Sequence, residues 1–98
     1  MRPWYGTVKN LIADAMRGDM PGDTDFTRAL SSCIQSVVEQ TARREDGALR
    51  LRVVNETVKD RNKYVSGVAM EYYISERTVN RYTSEFVYAV AKRMGYKA

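Results

Sequence analysis

From Glu76 to about Met94 the side chains sort onto two faces of one long helix, and this sorting limits what the 98-residue chain can fold into. At about 100° per residue, Val79, Thr83, Phe86 and Val90 share one side, flanked by Tyr82, Val87 and Met94. Arg77, Arg81, Ser84 and Tyr88 lie opposite, with Asn80 and Glu85 at the edges. Such a stripe must be buried against other elements. The rest of the chain supplies helices rather than strands. Trp4, Val8, Leu11, Ile12 and Ala15 predict a first helix of about four turns, stopped at Gly18 by the breaker-rich loop Gly18-Asp19-Met20-Pro21-Gly22. Asp23, Thr24 or Asp25 caps a second helix, whose buried stripe is Phe26, Leu30, Cys33, Ile34, Val37 and Val38, with Thr41 closing it. Asp46-Gly47 is the next break. The stretch from Ala48 to about Lys59 is both strand-like (Leu51, Val53) and helix-like (Leu51, Val54, Val58). Helix is the better reading, because a lone strand has no partner in the chain. Lys59 to Lys63 is a charged turn. The expected fold is all-α: a small helical domain of about five helices.

Composition narrows the chemistry. The chain contains no histidine and one cysteine. No internal disulfide or cysteine-rich zinc site can form, and every imidazole base or ligand is missing. Cys33 falls on an apolar stripe as a small core residue rather than a reactive thiol. The acidic residues stand in no paired motif, so no enzyme, cofactor or metal site is expected. With 44% hydrophobic and 29% charged residues the chain is expected to fold rather than stay disordered. No apolar run is long enough for a bilayer and no signal peptide is legible, so no membrane is expected and the cytoplasm of the host cell is the expected location. Charge is uneven. Residues 1–42 hold four Lys/Arg against five Asp/Glu, net −1, and residues 43–98 hold twelve against seven, net +5. A polyanionic partner therefore belongs to the second half.

That half contains the pieces of a helix-turn-helix. Ser66 caps a short helix, Gly67 to Tyr72. Ala69 is small where two helices must approach, and Ile74 plugs the turn into the core. Ser75 caps the long helix, and Glu76 suits its positive end. Position 78 is Thr, so there is no capping box. Arg can bond guanine O6 and N7, and Asn adenine N6 and N7. The early positions from Arg77 to Arg81 should sit deepest in a major groove. The expected DNA-contacting set is Lys63, Ser66, Ser75, Glu76, Arg77, Thr78, Asn80, Arg81 and Ser84. Thr78 has the equal alternative of bonding locally to the first turn, and Lys63 is assigned to phosphate.

The run Ile74-Ser75-Glu76-Arg77-Thr78-Val79-Asn80-Arg81, followed by Phe86 and by Val90-Ala91-Lys92-Arg93-Met94-Gly95-Tyr96, resembles the C-terminal end of the RinA/ArpU-type phage transcriptional regulators. The resemblance covers roughly residues 48–96 and is closest over the last third. It implies a helix-turn-helix similar to region four of bacterial sigma factors, with Ser75 to Arg81 reading DNA in the control of late phage genes. The sequence departs from general helix-turn-helix usage at Tyr73, where the turn commonly has glycine. A left-handed tyrosine is strained, so either the turn is built differently or the register is displaced.

Two regions are expected within one packed unit. Residues 1–45 form an N-terminal helical hairpin suited to dimerisation, and residues 46–98 form the DNA-binding region. The expected partners are double-stranded DNA, RNA polymerase and a second copy in a homodimer, since one recognition helix reads few base pairs. Trp4, Tyr5, Met20 and Phe26 are candidate anchors of that dimer, against the alternative that they fill the monomer core. The competing functional readings are a DNA-packaging component resembling a small terminase subunit and a helical protein-interaction module without DNA affinity.

Overall fold

The expected breaks at Gly18 and Asp46-Gly47 and the caps at Thr24 and Ser75 meet helix ends in the computed structural model, which describes residues 2–20, 22, 24–60 and 63–96. The five helices are α1 (Tyr5–Arg17), α2 (Asp25–Ala42), α3 (Gly47–Val54), α4 (Val65–Tyr72) and α5 (Glu76–Arg93). A single wide π turn (Asn55–Lys59) extends α3. Among the described residues there is no strand. Thr24 caps α2, its hydroxyl accepting from the Thr27 N–H at 3.1 Å. Asp25 is the first helical residue, and Asp23 lies outside the described residues.

The chain does not run as one regular helix from Ala48 to Lys59. At the π turn the Asp60 N–H reaches back five residues to the Asn55 carbonyl at 2.7 Å. The Thr57 hydroxyl donates to the Val53 carbonyl (2.9 Å) and meets the Thr83 hydroxyl on α5 (2.8 Å). Such back-bonding disturbs a regular helix. Here it ties α3 to the middle of α5. The charged turn beyond it is described only in part, since Arg61 and Asn62 lie outside the described residues.

α5 is shared between two apolar clusters. Its second half (Phe86, Val87, Val90, Ala91) packs with Tyr5, Val8, Ile12 and Ala13 of α1, Leu30, Ile34 and Val37 of α2, and Val54 and Val58. Its first half (Val79, Tyr82) packs with Val53 of α3 and with Val68 and Ala69 of α4, bordered by Ile74. α3 is the wedge between the two, because the adjacent Val53 and Val54 face different clusters. Residues from both halves of the chain build the larger cluster, so the hairpin of residues 1–45 is part of one core. Cys33 and Val38 are partly buried against it, whereas Phe26 is 49% exposed. Phe26 therefore leaves the expected buried stripe: it lies in the first turn of α2, one turn ahead of Leu30, the first residue of that helix that is buried. Trp4, Tyr5 and Met20 fill the monomer core. Tyr5 is buried, and Trp4 lies edge-on to Tyr88 and tilted against Tyr96, both at 5.4 Å between ring centroids.

Candidate nucleic-acid interface

The arrangement of α4 and α5 begins with how α4 stops. Tyr73 adopts the left-handed conformation, φ 57° and ψ 42°. Its N–H donates to the Met70 carbonyl at 3.4 Å, and the Ile74 N–H donates to the Ala69 carbonyl at 3.0 Å. This paired closure is the Schellman motif. α1 ends the same way at Gly18 (φ 73°), and α5 at Gly95 (φ 97°). Neither sequence-based alternative holds at Tyr73. The register is right and the turn has its usual geometry, with tyrosine in the glycine position. Ile74, half-buried, lies against the smaller cluster as expected.

Ser75 then starts α5. Its hydroxyl accepts from the Thr78 N–H at 3.1 Å and bonds the Thr78 hydroxyl at 2.9 Å. Both side chains are thus engaged locally at the helix end, and Glu76 follows in its positive first turn. Ser66 does not cap α4. The cap is Tyr64, whose ψ of 156° precedes the first helical residue Val65 without a side-chain hydrogen bond. Ser66 stands exposed in the first turn instead. It lines one shallow depression with Met70, Tyr73, Ile74, Ser75 and Glu76, so the outer face of α4 runs continuously into the head of α5.

Of the expected outer stripe, Arg77, Asn80 and Arg81 are exposed on the first turns of α5. Neither arginine is in an ion pair among the described residues. The Arg81 guanidinium lies 5.5 Å over the Tyr82 ring, a contact that leaves its N–H donors without an ion-pair partner among the described residues. The later part of the stripe is covered. Ser84 is half-buried, with its hydroxyl 3.4 Å from that of Tyr5, and Tyr88 packs against both Trp4 and Tyr5. α1 thus lands on the back of α5 and leaves only the first half of that stripe accessible.

Charges flank that segment on two sides. On one, Lys9, Asn10, Lys63, Tyr64, Asn80 and Thr83 line a polar cleft between α1, α4 and α5. Lys63 is not an open cation there: its ammonium bonds Glu56 and also Glu71, at 2.8 Å. Those bonds hold Lys63 above its ordinary value. Burial opposes ionisation of Glu56, but hydrogen bonds from Lys63 and Tyr72 outweigh it and hold its carboxyl below the usual range. The Glu56 carboxylate beside Tyr72 pushes that phenol up to about 12. The cluster fastens α4 to the π turn. On the other side, a groove between the end of α2 and α5 carries Arg43, Arg44, Arg50 and Lys92 above a floor that includes Val37, Val54 and Phe86. Arg50 bridges Asp46 (2.9 Å) and Glu85 while lying 4.4 Å over the Tyr82 ring. Asp46 is lowered chiefly by the hydrogen bond from Arg50. Arg43 and Lys92 are exposed without an ion pair among the described residues. Sequence reasoning passed over them and over Met70. The adjacent pair Arg43-Arg44 at the end of a helix was the available signal for the first. Among the described residues no group of three His, Cys, Asp or Glu side chains could hold a metal ion, and no helix is long and apolar enough to cross a membrane.

No protein-family model, curated protein or solved structure matches the chain.

Proposed function

We propose that this protein binds double-stranded DNA in a sequence-specific manner and regulates transcription, with the first half of α5 entering the major groove. The observation that carries this reading is the pair Arg77 and Arg81. Both are exposed and unpaired one helical turn apart, beside exposed Asn80, on a helix whose capped N-terminus follows a tight Schellman turn. Bidentate donors at this spacing suit guanine and adenine edges. The remaining side chains divide the work. Glu76, exposed in the first turn of α5, would accept from a cytosine amino group. Ser75 and Thr78, bonded to each other, hold the helix end in shape, and exposed Arg43 and Lys92 supply phosphate attraction along the flank.

The resemblance of residues 74–96 to the RinA/ArpU-type regulators extends the proposal to a phage-encoded controller of late genes acting with RNA polymerase. A homodimer would supply the second reading head. We set that contact on α2, and the exposure of Phe26 among the four candidate anchors supports it. The test is selection of binding sites from a random duplex pool, followed by affinity measurements on the winner and a scrambled duplex across a salt series. A preference of about a thousandfold or more supports the reading, and a palindromic winner supports the dimer. Binding without enrichment favours a packaging role, and no binding removes DNA as the partner.

A further inference from the structure

Among the described residues, three helices close with the same pair of hydrogen bonds, and two of them use glycine at the left-handed position. The third uses Tyr73. A left-handed backbone costs a residue with a Cβ roughly 1–2 kcal/mol that glycine avoids. Among the described residues, no side-chain bond of Tyr73 offsets this cost. Tyr73 is 95% exposed, and its side chain has no hydrogen bond or ring contact to any described residue. Its neighbour Met70 is 79% exposed. A strained, solvated aromatic side chain is a reason to look for a contact outside the chain.

Its place in the fold says where that contact lies. Tyr73 stands two residues before the Ser75 cap, and it borders the same depression as Ser66, Met70 and Glu76 at the head of α5. The major groove is about 12 Å wide and a helix with its side chains fills about 10–12 Å. When α5 enters head first, the turn before it meets a groove wall, which is sugar and phosphate. Tyrosine hydroxyls are ordinary donors to phosphate oxygens.

We propose that Tyr73 is a DNA-backbone contact: its hydroxyl donates to a phosphate oxygen at the groove wall while its ring and Met70 lie against the adjoining deoxyribose. This rests on the DNA-binding reading above and adds to it a neutral, sequence-independent anchor beside the arginines that read bases. A glycine at this position would relax the turn and remove the anchor.

The test compares wild type, Tyr73→Phe, Tyr73→Gly and Arg81→Ala, using the duplex recovered by selection with wild type and a scrambled duplex. Affinity is read by fluorescence anisotropy over a salt series, and each variant's melting temperature is recorded. Tyr73→Phe should weaken binding about threefold to tenfold, the range of one hydrogen bond. Tyr73→Gly should weaken it about tenfold or more while melting higher than wild type. Both losses should be equal on the two duplexes and leave the salt slope unchanged, because no charge is removed. Arg81→Ala should instead reduce the preference for the selected duplex. If wild type binds and Tyr73→Gly binds equally well, the anchor is wrong, and the exposed turn belongs to a protein partner. If wild type binds neither duplex, the DNA-binding reading itself fails and the anchor falls with it.

Discussion

One chemical change, glycine to alanine, should have opposite effects at two helix starts. Gly47 opens α3 where it passes the end of α2. A Cβ built there would sit 2.2 Å from the Thr41 carbonyl oxygen and 3.0 Å from the Ala42 Cα. The first distance is more than an ångström short of ordinary contact, which begins near 3.4 Å, and both neighbours are backbone. Neither can swing away as a side-chain tip does. The Thr41 carbonyl already accepts the Arg44 N–H at 3.0 Å, and the Gly47 N–H donates to the Arg44 carbonyl at 3.0 Å. Shifting one strand of this corner disturbs both bonds. Overpacking of this kind costs about 1–3 kcal/mol, against a gain of about 0.5–1 kcal/mol from replacing glycine in a helix. Gly47→Ala should therefore lose up to about 2.5 kcal/mol. Gly67 lies in the first turn of α4 with nothing within 4 Å of its would-be Cβ. Gly67→Ala should gain up to about 1 kcal/mol. For a domain of this size, 1 kcal/mol moves the midpoint by about 4–8 °C. Thermal melts followed by far-ultraviolet circular dichroism read both shifts. A Gly47→Ala protein that melts at or above wild type refutes the close approach of α2 and α3. A Gly67→Ala protein that melts well below it refutes the open surface of α4.

Other outcomes follow from the interface and the ion-pair cluster. Arg77→Ala and Arg81→Ala should each cost about 1–3 kcal/mol of affinity at the selected duplex with little change in melting temperature; lost stability instead of lost binding would invert the face assigned to α5. Val79→Ala and Phe86→Ala should lower stability by about 1–5 kcal/mol through lost burial and cavities, measured by urea denaturation; Val79 is fully buried, so a neutral result there contradicts the packing of α4 on α5. Stability should fall as pH drops below about 4.5, because Glu56 and Asp46 are held ionised in the folded protein and must take up protons there. Glu56→Gln should flatten that acid limb, and an unchanged limb argues against the cluster. Tyr72 is raised from 10.0 to about 12, and Lys63 is raised as well, so the stability they lend is present below pH 10 and lost as pH climbs toward 12. Melting temperatures from pH 9 to 12 test this, and Tyr72→Phe should soften the decline.

Where local chemistry dictates a helix end, the sequence alone located it. Gly18, the group Asp23-Thr24-Asp25, Asp46-Gly47 and Ser75 each mark a boundary, with Thr24 the member of its group that caps, and the stripe of α5 identified every residue it buries in the two clusters except Ala91. The misses have a common cause. Tyr64 caps α4 through backbone conformation alone, so the nearby serine drew the assignment. Phe26 continues the period of α2 a turn before anything covers it, which periodicity cannot show. Ser84 and Tyr88 look outward on an isolated helix, and only the arrival of α1 reveals that they are covered. Lys63 reads as a free cation until the π turn and α4 bring Glu56 and Glu71 to it from seven positions before and eight after. Tyr73 is a different case: general turn chemistry argued against its conformation, and the rest of the motif imposed it.

The rings of Trp4 and Tyr96 touch although 91 residues separate them in the chain. The start of α1 and the end of α5 thus meet at one corner of the fold, and any chain preceding the one or following the other departs from that corner. A short linker joining the two, with a new opening in the loop between Gly18 and Thr24, would give a circular permutant that keeps every helix in place. In it α1 becomes the covalent extension of α5, which it already covers. The order in which the helices leave the ribosome would change, and the neighbours of every side chain would not.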